Sequence, residues 1–379
     1  MADRESEVLA RIAPGIATVD PAEWDRLAGD GDPFLSHAFL AALEESGSVG
    51  PGTGWSPAPI FVENDGTLIA AAPAYLKSHS QGEYVFDHGW ADAFQRAGGA
   101  YYPKLQVAVP FTPVPGPRLL GSRPLQLLAA LETVVVQNGL SSAHLTFLDK
   151  ADAAHCQARN WLIRDGIQYH WFNRGYGSFD EFLATLSSRK RKQIRKERAG
   201  AQAGLTFQTL RGTEIGSAQR DAMWAFYQDT GSRKWGHPYL TRDFFDRIAG
   251  TMGDRLLLFL ALRDGRPIAG ALNLIGGKAL YGRYWGTVAE VPFLHFELCY
   301  YRAIEWAIDH GLDEVQAGAQ GEHKLARGYE PVITHSAHFL SDPGLRAAVK
   351  RYLDGERMAI SDEVRWLAEA LPYRSSDSE

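Results

Sequence analysis

Cysteine is scarce in this chain: Cys156 and Cys299 are the only two, too few for a disulfide framework or a thiolate metal site. That scarcity points to a reducing compartment. Long hydrophobic runs are also missing. The longest, near Leu68 to Leu76, contains a proline and reaches about half a membrane span. The start, Met1 to Val8, alternates charges where a signal peptide needs an apolar run, so a cytoplasmic protein with at most peripheral membrane contact is expected. There is no excess of positive charge either. The formal net charge of -6 excludes a dedicated nucleic-acid coat and leaves room for a local basic patch. Neither a glycine–X–serine–X–glycine elbow nor a Walker loop occurs. His335 and His338 lie three apart, but no third ligand at fitting spacing follows, so no metal is expected.

What is present is a globular composition over 379 residues, enough for two domains of ordinary size, and an internal echo. Ile60 to Tyr75 and Phe259 to Leu274 each read as apolar strand, Asp-Gly turn, apolar strand, centred on Asp65-Gly66 and Asp264-Gly265. An aromatic third strand is expected after each, at Tyr84 to Trp90 and Tyr281 to Trp285. Pro124 to Asn138 and Phe296 to His310 are helical in pattern, stop at Gly139 and Gly311, and run into strands Ala143 to Leu148 and Asp313 to Ala317. The order predicts an α/β fold with mixed sheets, duplicated in tandem. The expected partition is 1–155, 156–344, and a C-terminal helix and frayed tail at 345–379. The junction is placed in the polar stretch Lys150 to Asp165.

Two features carry chemistry. Ser178-Phe-Asp-Glu181 has capping-box spacing, and a second helix start at Ser187 or Ser188 opens a run with seven basic side chains and one acidic between 187 and 198. Arg189, Lys190, Arg191, Lys192 and Arg195 are therefore candidates to hold phosphate groups or a lipid headgroup. The second feature is a set of polar stretches among aromatics: Asp229 to Tyr239 with Arg233, Tyr281 to Tyr301 with Tyr284, His295 and Glu297, and Gln320 to His335. The last follows a strand directly, where ligands gather in α/β sheets. Acyl transfer to an amine needs a base and donors for a developing oxyanion. Glu297, Glu322, His295 and His323 are the candidate bases. Lys324, Arg327 and Tyr284 are the candidate donors, and Gln320 and Arg233 are further substrate contacts.

The chain also resembles the Fem-like peptidoglycan biosynthesis/recognition family of N-acyltransferases in the acetyltransferase superfamily. The resemblance rests on Phe34 to Glu44, Tyr101 to Leu105, Pro110 to Pro113, Gly116 to Leu119, Ser188 to Lys192, Leu294 to Tyr301 and Gly318 to Lys324. It implies two tandem GNAT-like (acetyltransferase-type) modules and transfer of an activated acyl or aminoacyl group. In true Fem enzymes the donor is aminoacyl-tRNA and the acceptor a peptidoglycan precursor. This sequence departs from them in lacking a helical-hairpin arm after Arg198. An acetyl-CoA pyrophosphate loop occurs literally only at Gln95-Arg-Ala-Gly-Gly-Ala100, before Tyr-Tyr-Pro and not at a helix start. Three readings stay open: acyl or aminoacyl transfer to an amine, with aminoacyl-tRNA or acyl-CoA as co-substrate; a conventional acetyl-CoA-dependent N-acetyltransferase; and a non-enzymatic module recognising a phosphorylated glycan or nucleotide. The partners implied are a phosphate-bearing donor or acceptor, tRNA among them, and a membrane-linked precursor, with no stable protein partner and no resident cofactor.

Overall fold

The structure, a computed structural model, describes residues 8–234, 238–318 and 321–374, without the side chains of 8 and 231–234. The chain divides into two units. One runs through Gly166 and is completed by Ile333–Asp362; the other comprises Ile167–Val332 and the residues from Glu363 onward. The expected linear partition at 155 and 344 is thus replaced by an interleaved one. Residues 345–369 belong to a single helix, Pro343–Glu369, and part of it completes the first unit. The tail 375–379 lies outside the described residues.

The first unit holds strands β1 (Val8–Ile12), β2 (Trp55–Pro57), β3 (Ile60–Asn64), β4 (Thr67–Ala72), β5 (Ala74–Lys77), β6 (Lys104–Val107), β7 (Leu120–Gly121) and β8 (Ser142–Leu148). Strand β9 (Leu162–Phe172) follows the helix Lys150–Ala158. Within this unit β1-β3-β4-β7 form one sheet, and β2-β5-β6-β8 continue to the second part of β15 (Glu330–Leu340). The second unit holds β10 (Thr206–Arg211), β11 (Leu256–Arg263), β12 (Arg266–Ile275), β13 (Ala279–Thr287) and β14 (Glu314–Gln316), in the order β10-β11-β12-β13-β14-β9.

The echo in the sequence is an echo in the fold. Both Asp-Gly pairs close antiparallel hairpins, β3–β4 and β11–β12, with positive φ at both central residues (49° and 78°; 51° and 75°). That conformation matches the right-handed twist of the flanking strands, and aspartate followed by glycine tolerates it. Each unit then has a short parallel strand pair: Leu105–Val107 with Ala143–Leu145, and Ala279–Tyr281 with Glu314–Gln316. The helices Pro124–Gln137 and Arg302–Asp309 lead into the second strand of each pair. Leu127, Leu131 and Val135 pack on Ile60, Leu105 and Leu145 in the first core; Ala303, Ile304 and Ala307 pack with Leu257, Phe259 and Leu280 in the second.

One expected strand fails locally. Tyr84 to Trp90 is not a strand: Gly82 and Tyr84 take positive φ, and the helix His88–Arg96 begins instead, burying Trp90. The third strand of that motif is β6, antiparallel to β5 and parallel to β8 as β13 is to β12 and β14. The polar stretch after Lys150 is a helix whose N-cap Asp149 accepts from the Asp152 amide, with Ala153 and Cys156 turned inward. His335 and His338 lie on β15; His335 contacts Asp165 at 2.8 Å and His338 shares a 2.7 Å hydrogen bond with His144. Among the described residues no group of three metal-ligating side chains occurs. Gln95 to Ala100 sits at the end of the helix His88–Arg96, so it opens no helix onto a ligand.

Candidate functional site

Strands β13 and β14 run parallel for three residues only; β13 continues to Thr287, while the chain leaves β14 after Gln316. The segment that follows turns at Gly318 (φ 78°) and enters the 3-10 helical turn Glu322–Arg327. It therefore sits at the carboxyl end of a parallel pair, where α/β sheets bind ligands. Lys324 is 1% exposed, and its Nζ donates to the Gly318 carbonyl at 2.6 Å. Burial lowers its pKa to about 8, against an opposing electrostatic pull from nearby Cys299.

Facing this turn is an irregular helix. After the short turn Leu294–Phe296 the backbone widens into a π-helical turn, Glu297–Tyr301, before the α-helix Arg302–Asp309. The extra residue of a π turn re-aims side chains and often marks a functional position. Tyr300 meets His323 Nε2 at 2.8 Å, and its phenol is pushed up by burial. Tyr301 donates to Glu197, and its phenol is likewise raised by burial. The ring of His295 lies 5.2 Å from those of Trp285 and Tyr300 and 6.3 Å from that of His323. Among the sequence candidates, then, Lys324, His323 and His295 share one aromatic neighbourhood. Glu322 is exposed at the start of the turn.

The basic helix spans Ser188–Gln202 and joins the same neighbourhood. Ile194, Glu197 and Ala201 are its buried positions, spaced i, i+3, i+7 on one face. Arg327 Nη2 donates to both Glu197 carboxylate oxygens at 2.9 and 3.0 Å, its Nε to Tyr301 at 3.0 Å and its Nη1 to the His323 carbonyl at 2.7 Å. The Arg327 guanidinium also lies 3.5 Å over the Phe296 ring. Arg327 is thus engaged in tying the helix to the turn. Glu297 is fully buried and is gripped by Arg198, Arg302 and Gln202. Burial opposes the charge of Arg198, but hydrogen bonds to Glu305 and Glu297 hold its pKa above the ordinary value. The outer face presents Arg189, Lys192 and Arg195, with Lys190 and Arg191 half-buried; Arg195 pairs with exposed Asp180 at 3.0 Å.

Other candidates lie elsewhere. Tyr284 packs against Tyr227, Phe244 and Phe245, on the face of β13 opposite Trp285 and His295, because successive strand residues alternate sides. Gln320 and the Arg233 side chain lie outside the described residues. Glu197, Tyr300, Tyr301 and Arg198 are structural members of the site that sequence reasoning did not select. Glu197 carried a signal, as the one acid in the run and three residues after Ile194.

The family model of FemAB-like peptidoglycan biosynthesis/recognition proteins matches residues 15–375. The chain belongs to that family. No curated protein sequence matches it. Its fold is similar to that of FemX, at 13% identity and a TM-score of 0.55, covering 91% of this chain and 100% of that one. It is similar as well to L-PGS from Bacillus licheniformis (13% identity, TM-score 0.50, 86% and 98% covered). A conserved protein of unknown function from Bacteroides thetaiotaomicron VPI-5482 also shares the fold (10% identity, TM-score 0.51, 87% and 99% covered). The architecture of this FemAB-like chain is therefore the tandem GNAT-like fold of Fem type. Among its described residues no helix is long and apolar enough to cross a membrane.

Proposed function

We propose that this FemAB-like protein transfers an acyl or aminoacyl group to an amine, and that the second unit holds the reacting centre. The observation that carries the reading is Lys324: a buried amine with a lowered pKa, set at the carboxyl end of a parallel strand pair and beside a π turn. In the proposed reaction the acceptor nitrogen attacks the donor's carbonyl carbon, and the carbonyl electron pair moves onto oxygen. The Lys324 ammonium donates to that oxyanion in a site from which water is largely excluded, where such a donor contributes most. His323, oriented by Tyr300, takes the proton from the attacking nitrogen. Collapse of the intermediate forms the amide and expels the donor's leaving group, which carries that proton away. Glu297 and Arg327 serve as struts in this scheme, since their polar atoms are already engaged.

The outward cations Arg189 and Lys192 would hold the phosphates of the donor, with Lys190, Arg191 and Arg195 beside them. Family membership supports a cell-wall precursor as the amine acceptor. The test is label transfer by the full chain, with radiolabelled aminoacyl-tRNA and acetyl-CoA supplied separately and a peptidoglycan stem peptide as acceptor. An amide-linked labelled product is expected, with kcat falling by about 10²–10³ in Lys324→Met. A folded Lys324→Met protein that transfers label at the wild-type rate would refute the assignment.

A further inference from the structure

The first unit has an open groove of about 630 Å3 between the helix Lys150–Ala158 and the early turns of Pro343–Glu369. That volume is in the range of small-molecule sites. The floor is aliphatic where Ala153, Leu162 and Leu353 meet, each less than a tenth exposed. The walls carry four cations, Lys150, Arg346, Lys350 and Arg357, against two carboxylates, Asp165 and Asp354. In a chain of net charge -6, that local balance is reversed.

The carboxylates do little to cancel the cations. Asp165 is already met by His335 at 2.8 Å, and Arg357 reaches it only at 3.6 Å. Asp354 is held by Lys350 at 2.7 Å, in an exposed pair of the kind that contributes little. Arg346 donates to the Asn160 carbonyl and Arg357 to that of Ile163, contacts that orient a guanidinium without neutralising it. Lys150 makes no ion pair among the described residues. Cationic walls above an aliphatic floor fit a ligand with an anionic head and an apolar body. Gln157 and Asn160 also line the groove, but Ala153, Leu162 and Leu353 offer an aliphatic surface with no polar side-chain atom, suited to a hydrocarbon chain.

The geometry points to a second binding site in the first unit, for an amphiphile whose phosphate head sits among Lys150, Arg346 and Lys350 and whose aliphatic chain lies along Leu162 and Leu353. This site does not depend on the transfer reaction assigned to the second unit. It can be tested with dodecyl phosphate, titrated calorimetrically into the full chain below its micelle concentration. Dodecyl maltoside, inorganic phosphate and AMP serve as controls for the head, the chain and a nucleotide source.

Dodecyl phosphate should bind at least tenfold more tightly than any control. The exposed double variant Lys150→Glu/Lys350→Glu should weaken it at least tenfold, with an unchanged thermal midpoint. Ala154→Trp, at an exposed groove position, should block the chain and leave a folded protein with the weak affinity of inorganic phosphate. Equal binding of dodecyl maltoside would overturn the role of the cations, and equal binding of AMP or phosphate would overturn that of the floor. Undiminished binding by both folded variants would remove the site.

Discussion

A lysine ammonium that is 1% exposed has lost most of its hydration, and the hydrogen bond from Lys324 Nζ to the Gly318 carbonyl replaces only part of it. The lowered pKa of about 8 has a consequence for stability. In the unfolded chain a lysine titrates near ~10.4, so between about pH 8 and that value the unfolded state binds a proton that the folded state has released. Stability must therefore rise with pH across that window, by about 3 kcal/mol at most, and the contribution is absent below it. Urea unfolding at pH 7.5 and pH 10 should show the rise in wild type relative to Lys324→Met, which lacks the titrating group. Parallel pH dependence of the two proteins would mean that Lys324 titrates like an ordinary lysine. Its presence in the polar loop was legible in the sequence. Its burial was not, because that depends on the π turn that carries Cys299, which is brought against it only by the fold.

At the scale of elements, local rules were readable wherever a short motif specifies its own geometry. The Asp-Gly hairpins, the Ser178 cap, the start of the helix at Ser188 and the stops at Gly139 and Gly311 all follow from backbone chemistry within a few residues. Tyr84 to Trp90 misled because aromatic alternation imitates a strand, while its inward ring, Trp90, is carried by a helix. The basic helix shows what composition hides. Its single acid, Glu197, is the residue that docks it, accepting from Arg327 and Tyr301 in a place that is 4% exposed. Glu197→Gln leaves the Arg327 charge buried without its counter-ion and should destabilise the protein by about 3–5 kcal/mol. Arg195→Gln, which breaks an exposed pair with Asp180, should change stability by less than about 1 kcal/mol. Chemical denaturation of the two variants checks the contrast, and equal losses would mean that Glu197 is no strut.

For the whole molecule, duplication was legible because each half repeats a hairpin, a helix and a parallel strand pair. The interleaving was not, since nothing in the polar or apolar pattern of 333–362 says that it completes the first unit. In the proposed function the second repeat alone holds the reacting centre, although both repeats contain the same strand arrangement. Hydrogen–deuterium exchange of the full chain, with and without saturating aminoacyl-tRNA and, separately, acetyl-CoA, decides between the repeats. Slowed exchange is predicted at Leu294–Tyr301 and Glu322–Arg327 with the true donor, along with the first turns of the basic helix. Protection confined to the first unit, or no protection of those segments by either donor, would contradict it.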